Sequence, residues 1–143
     1  MPCRNPFSLP DRFDARLQAV LFFWRSLRRA ENGMPFGDDL ELPAVSKLPG
    51  RPFLLRVFTA PERFRFDFVN EGLQGAAAPG TFIDEIAPDM DFGFLRAQSS
   101  ATVEAAEPTL LGLTEASRRN FSRLLLPLWG QGQISLLLGA VEA

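Results

Sequence analysis

Few residues of this chain have types and spacings that could do chemistry. The densest acidic group is Asp84, Glu85, Asp89 and Asp91. Its spacing lacks the alternating oxygen ligands and closing glutamate of a calcium loop, and acidic residues near helix starts are ordinary partners of the helix dipole. The sequence contains no histidine, so zinc or non-haem iron would have to rely on carboxylates, and no metal site is expected. Ser99, Ser100 and Ser122 have no histidine base available and no glycine-flanked serine turn around them, which argues against nucleophilic catalysis. Gly72-Leu-Gln-Gly75 with Gly80 has neither the lysine nor the strand-to-helix spacing of a phosphate loop. Nothing in the spacing sets two carboxylates opposite a substrate. The expectation is a protein that is not an enzyme.

What the sequence does lay out is a scaffold. Phe64, Phe66 and Phe68 alternate with Arg63, Arg65 and Asp67, the period of two that a half-buried β-strand requires. Leu124, Leu126 and Leu128 repeat the pattern, as do Ile134, Leu136 and Leu138, so an antiparallel sheet with one apolar face is expected. At 143 residues and 46% hydrophobic content the chain can bury a core as one domain without disulfides or metals. Its formal charge of −2 gives no global case for nucleic acid as a partner. Residues 1–31 are locally basic, with Arg4, Arg12, Arg16, Arg25, Arg28 and Arg29 against Asp11, Asp14 and Glu31, which reads as the solvated face of a first helix.

Cys3 is the single cysteine, so no intramolecular disulfide can form, and a reducing, cytoplasmic setting is the expectation. No run reaches the roughly 18 to 20 apolar residues of a membrane span, and the stretch 19–24 is too short and lacks a cleavage-site pattern, so neither signal peptide nor membrane anchor is expected.

Along the chain, residues 1–10 hold three prolines and read as a flexible lead-in to a single domain over 11–143. A helix is predicted over 11–31, with Asp11 as N-cap, an apolar stripe of Phe13, Leu17, Val20, Leu21, Trp24 and Leu27, and Gly33 and Pro35 closing it. The proline-rich stretch 34–52 is a connector with at most one short helix. Strands are predicted over 53–59 and 63–70 as a hairpin, a loop or helical turn over 72–80, a short helix over 81–86 and a helix over 91–107. Three strands follow, over 109–117, 120–129 and 133–141, the last two joined at Gly130-Gln-Gly132.

In this order the chain resembles the PAS domain, and more narrowly small bacterial stand-alone PAS-like proteins with a long N-terminal helix. The resemblance rests on the helix carrying Leu21 and Trp24 ahead of basic residues, the Met34-Pro35 exit, the connector from Leu42-Pro43 to Leu48-Pro49, and the Phe53 to Val57 strand before Phe64-Arg-Phe66. It continues through Gly80-Thr-Phe-Ile-Asp-Glu-Ile86 and Leu125-Leu-Pro-Leu128 to the Leu136-Leu-Leu-Gly139 ending. It implies an α+β fold, a five-stranded antiparallel sheet in the order 2-1-5-4-3 with short helices on one face and a small pocket between them. The chain departs from that group after the second strand, where Asn70-Glu71-Gly72 leads into an alanine and glycine stretch instead of a regular helix.

Domains of this kind sense small molecules, bind cofactors or mediate association, and fold alone does not choose among these. Histidine-ligated haem is excluded by the absence of histidine, and a cysteinyl-adduct flavin by the position of Cys3 ahead of the domain. A pocket for a small apolar ligand would be lined by Phe53, Leu55, Phe64, Phe66, Phe68, Leu111, Leu124, Leu126 and Leu136, with Arg56, Arg65 or Arg123 as polar handle if one points inward. The alternative is that these side chains fill a solid core. Leu17, Leu21, Phe22, Phe23 and Trp24 form the expected surface for a homodimer or a partner signalling protein, and a structural dimerisation module without ligand is the rival reading.

Overall fold

The structure is a computed structural model that describes residues 9–10, 12–28, 34–73, 78–86, 94–114 and 120–142. Helix α1 (Ala15–Ser26) comes first, followed by a 3-10 turn at Gly37–Asp39 and the short helix α2 (Leu42–Ser46). Strands β1 (Arg51–Phe58) and β2 (Arg63–Val69) form a hairpin, and 3-10 turns at Glu71–Leu73 and Ile83–Glu85 precede helix α3 (Leu95–Ala105). Strands β3 (Thr109–Thr114), β4 (Asn120–Gly130) and β5 (Gln133–Glu142) complete one antiparallel sheet in the order β2-β1-β5-β4-β3. This is the α+β architecture and strand order expected from the sequence.

The first helix is shorter than its predicted span of 11–31 at both ends: it ends at Ser26 with Leu27 as C-cap, and it starts later. Asp14, not Asp11, is the N-cap: its carboxylate accepts from the backbone N–H of Arg16 at 2.8 Å and of Leu17 at 3.3 Å. Asp11 itself, like Gly33, lies outside the described residues. Leu17, Val20, Leu21 and Trp24 then recur at helical spacing and are buried against the sheet.

The sheet is apolar on both faces in its centre, which corrects the expectation of one apolar face and of short helices confined to one side. Alternate residues of β4 and β5 part to opposite layers. Leu124, Leu126, Leu128, Leu136 and Leu138 pack with α1, α2 and the 34–48 connector, while Leu125, Leu137 and Val141 pack with α3 and the Ile83–Glu85 turn. A strand covered on both faces reads as a continuous apolar run, and Leu124-Leu-Leu126 and Leu136-Leu-Leu138 are such runs.

The alternation along β2 breaks at Asp67. Leu54 pairs with Phe68 but Leu55 with Phe66, so Asp67 is the extra residue of a β-bulge. The bulge leaves Phe64 and Phe66 on the α3 side and turns Phe68 to the α1 side, and Val69 resumes the inner position. In the centre, Phe53 meets Phe66 edge-on with ring centroids 5.9 Å apart, and its ring lies over Gly139, where any Cβ would overlap it. Gln131 and Gly132, both at positive φ, form the tight turn between β4 and β5.

Pro127 sits in β4 beyond its last β3 partner, where a missing N–H forfeits no ladder bond, and its carbonyl accepts from Trp24 Nε1 at 2.8 Å. Beside it, Trp129 N–H donates to the Pro35 carbonyl at 2.9 Å, so the chain leaving α1 borders β4 where β3 has ended.

Candidate functional site

Helix α3 turns an unusual face to the sheet. Leu95, Gln98, Ser99 and Thr102 fall at i, i+3, i+4 and i+7 and are buried, so a polar stripe docks where an apolar one is the norm. Opposite it stand Thr109 of β3 and Arg123 of β4, the latter 0% exposed. Arg123 Nε donates to Gln98 Oε1 at 2.8 Å, and Gln98 Nε2 donates both to the Arg123 carbonyl at 3.0 Å and to Thr109 Oγ1 at 3.1 Å. Thr102 Oγ1 lies 2.6 Å from Thr109 Oγ1 and donates to the Gln98 carbonyl at 2.8 Å. A buried guanidinium costs roughly several kcal/mol of lost hydration unless hydrogen bonds replace it, and the Gln98 bond to Nε supplies one such replacement. Ser99 is the exception: its Oγ is buried and makes no hydrogen bond among the described residues.

The residues expected to line a pocket do not come together in one place. Phe53, Leu55, Phe64, Phe66 and Leu111 belong to the α3 layer, next to the polar cluster. Phe68, Leu124, Leu126 and Leu136 belong to the α1 layer on the far side of the sheet. Of the three arginines considered as a polar handle, Arg123 points inward, whereas Arg56 and Arg65 stand on the outer face of the β1–β2 hairpin. Gln98 and Thr102 are not legible as site residues, because polar residues in a helical stripe read as gaps in it, and Thr109 is an ordinary strand residue by type. The available signal is that Gln98 and Thr102 continue the Leu95 spacing.

The five residues expected to form a surface for association also part. Leu17, Leu21 and Trp24 are buried within the chain, Phe23 packs partly against the α1 layer, and Phe22 is 65% exposed. In the acidic group, Asp84 is paired with Arg63 through two bonds of 3.0 and 3.1 Å, and Glu85 accepts from the Phe82 N–H at 2.9 Å. Arg63 and its bonds hold the Asp84 carboxyl below its ordinary value, and the Arg63 guanidinium is raised in turn. Asp89 and Asp91 lie outside the described residues.

Ser100 donates to Glu62, tying α3 to the turn between β1 and β2. Among the described residues, no three histidine, cysteine or carboxylate side chains gather as metal ligands would, and no helix is long and apolar enough to cross a membrane. No protein-family model, curated protein or solved structure matches this chain.

Proposed function

We propose that this chain is a PAS-like sensory and interaction domain that takes a small ligand between α3 and the sheet. It passes the event on through dimer or partner contacts and does no chemistry of its own. The observation that carries this reading is the Arg123–Gln98–Thr109–Thr102 cluster set in an otherwise apolar layer, with the unsatisfied Ser99 hydroxyl beside it on the same helix face. An orphaned buried hydroxyl costs about 1–3 kcal/mol, which a ligand or water accepting its proton would recover. The aromatic and aliphatic residues of that layer, Phe53, Leu55, Phe64 and Phe66, supply the apolar remainder of such a site. The strand order β2-β1-β5-β4-β3 is the one that the PAS resemblance implies. A cytoplasmic setting belongs to the same proposal.

Native mass spectrometry of freshly purified protein, with denaturing extraction of the same sample, tests it. A stoichiometric small molecule released on denaturation and missing from Gln98→Met protein is the expected result. Protein that is ligand-free at every preparation overturns the sensing reading. One observation favours the rival, a structural homodimer module: Phe22 projects from α1 with most of its ring exposed. A ligand-free dimer that dissociates on Phe22→Glu substitution is the outcome that would establish it.

A further inference from the structure

The outer face of the β1–β2 hairpin carries an arrangement that the interior site does not use. Arg56 and Arg65 are cross-strand partners, and both donate through Nε to a single carboxylate: Arg56 to Asp67 Oδ2 at 2.8 Å, Arg65 to Asp67 Oδ1 at 2.9 Å. Asp67 reaches between them because it is the bulged residue, the one position of β2 whose side chain the pleat does not fix. Each guanidinium spends only its Nε edge, and neither makes any other hydrogen bond or ion pair among the described residues. The Asp67 side chain is 22% exposed, whereas Arg56 and Arg65 are 43% and 34% exposed, so the carboxylate is the more covered of the three and the forks the more open. Two positive charges against one leave this spot net cationic. The Arg65 guanidinium also lies 5.1 Å from the Phe58 ring centroid, and Phe58 meets Phe82 at 5.5 Å, which gives the forks an aromatic border.

We propose that Arg56 and Arg65, locked side by side by Asp67, bind a phosphate-type oxyanion through their terminal Nη groups. A guanidinium presents parallel N–H donors at the spacing of two oxygens of a tetrahedral anion, and two such forks fixed on neighbouring strands supply them with little ordering cost. Arg63 is the internal contrast, since it gives Asp84 both Nε and Nη2.

The test is NMR titration of the full chain with inorganic phosphate and with phenyl phosphate, at constant ionic strength against chloride, following the Nε–Hε signals of the arginines. Saturable shifts at Arg56 and Arg65 are expected. Equal affinity for the two probes assigns the site to the oxyanion alone, and tighter phenyl phosphate to an ester whose organic part lies on Phe58 and Phe82. Arg56→Gln or Arg65→Gln should lower affinity about tenfold, the worth of a charge-assisted hydrogen bond, and Arg63→Gln should leave it within about twofold. Asp67→Asn separates a built receptor from mere positive charge: loss of the clamp weakens binding, whereas a charge effect alone would tighten it. Linear shifts spread over all arginines, or tighter binding by Asp67→Asn, overturn the proposal.

Discussion

Both sides of the sheet are covered in its centre, and the two are held together differently. Under α1 the contact is apolar, made by Leu17, Val20, Leu21 and Trp24 on Leu126, Leu128 and Leu138, with Trp24 Nε1 to the Pro127 carbonyl as its one buried side-chain hydrogen bond among the described residues. Under α3 the helix meets the sheet through Gln98, Thr102, Thr109 and Arg123, joined by hydrogen bonds of 2.6–3.1 Å. Apolar packing is additive and tolerates a change of side chain that keeps volume. A buried polar network is satisfied as a whole or becomes a liability, because each member left without its partner carries the full cost of desolvation. The α1 side therefore depends mainly on filled volume, and the α3 side on hydrogen-bond partners as well.

That contrast breaks most visibly at Trp24. Trp24→Ala should cost about 3–5 kcal/mol, the range for emptying a buried tryptophan site, and Trp24→Phe should recover part of it by refilling the site, less the loss of the donor to the Pro127 carbonyl. Urea denaturation followed by circular dichroism measures both. On the other side, Gln98→Met keeps the volume but takes away the acceptor of Arg123 Nε and the donor to Thr109, and should cost about 2–3 kcal/mol. The comparison predicts that shape alone rescues more of the α1 side than of the α3 side. Equal tolerance of Trp24→Phe and Gln98→Met would show the two layers to be alike.

The sequence disclosed the part of this division that rests on periodicity. Alternation along Arg63-Phe-Arg-Phe66 and the stripe from Leu17 to Trp24 are local patterns, and the strands and helix they announce are present. Leu124, Leu126 and Leu128, like Ile134, Leu136 and Leu138, read as alternating because every second residue is apolar, yet Leu125 and Leu137 between them are apolar and buried too, and that is the mark of burial on both faces. The bulge at Asp67 depends on the partner strand, and no pattern within β2 announces it. By sequence, Arg123 is one of three arginines that could serve as an inward handle, but Gln98 is an ordinary surface residue by type, and only the docking of α3 onto β4 makes it interior.

Outside the layers, Phe22 sharpens the comparison by standing on the α1 helix without serving its core. Because the ring is 65% exposed, Phe22→Glu should change stability by less than about 0.5 kcal/mol, the usual range for surface positions. Any effect should therefore appear in association. Sedimentation velocity of this variant is expected to show a smaller species than the parent if α1 carries the proposed dimer contact, and identical sedimentation of the two would remove α1 from that role.

The smallest effect belongs to the Ile83–Glu85 turn, which meets the α3 layer from the sheet edge and is tied to β2 by the Arg63–Asp84 pair, with the Arg63 guanidinium 3.7 Å from the Phe82 ring centroid. Asp84 has its carboxyl held below the ordinary 3.8 by Arg63. A carboxyl lowered in the folded state contributes its stabilisation above the unfolded value and loses it as pH falls through the folded one, so this tie is intact at neutral pH and weakens only in acid below about pH 4. Both groups are exposed, so solvent screening keeps the contribution small and local. A carboxyl-carbon NMR titration should place the Asp84 midpoint below 3.8, with the amide signals of 82–86 moving in step. In Asp84→Asn protein the component of those amide shifts that follows the Asp84 midpoint should disappear, while any response to the Glu85 carboxylate bonded to the Phe82 N–H is retained. A midpoint at the ordinary value would show the Arg63–Asp84 pair to be open in solution, with the 78–81 segment held to β2 by backbone bonds alone, Phe66 N–H to the Thr81 carbonyl and Gly80 N–H to the Phe66 carbonyl.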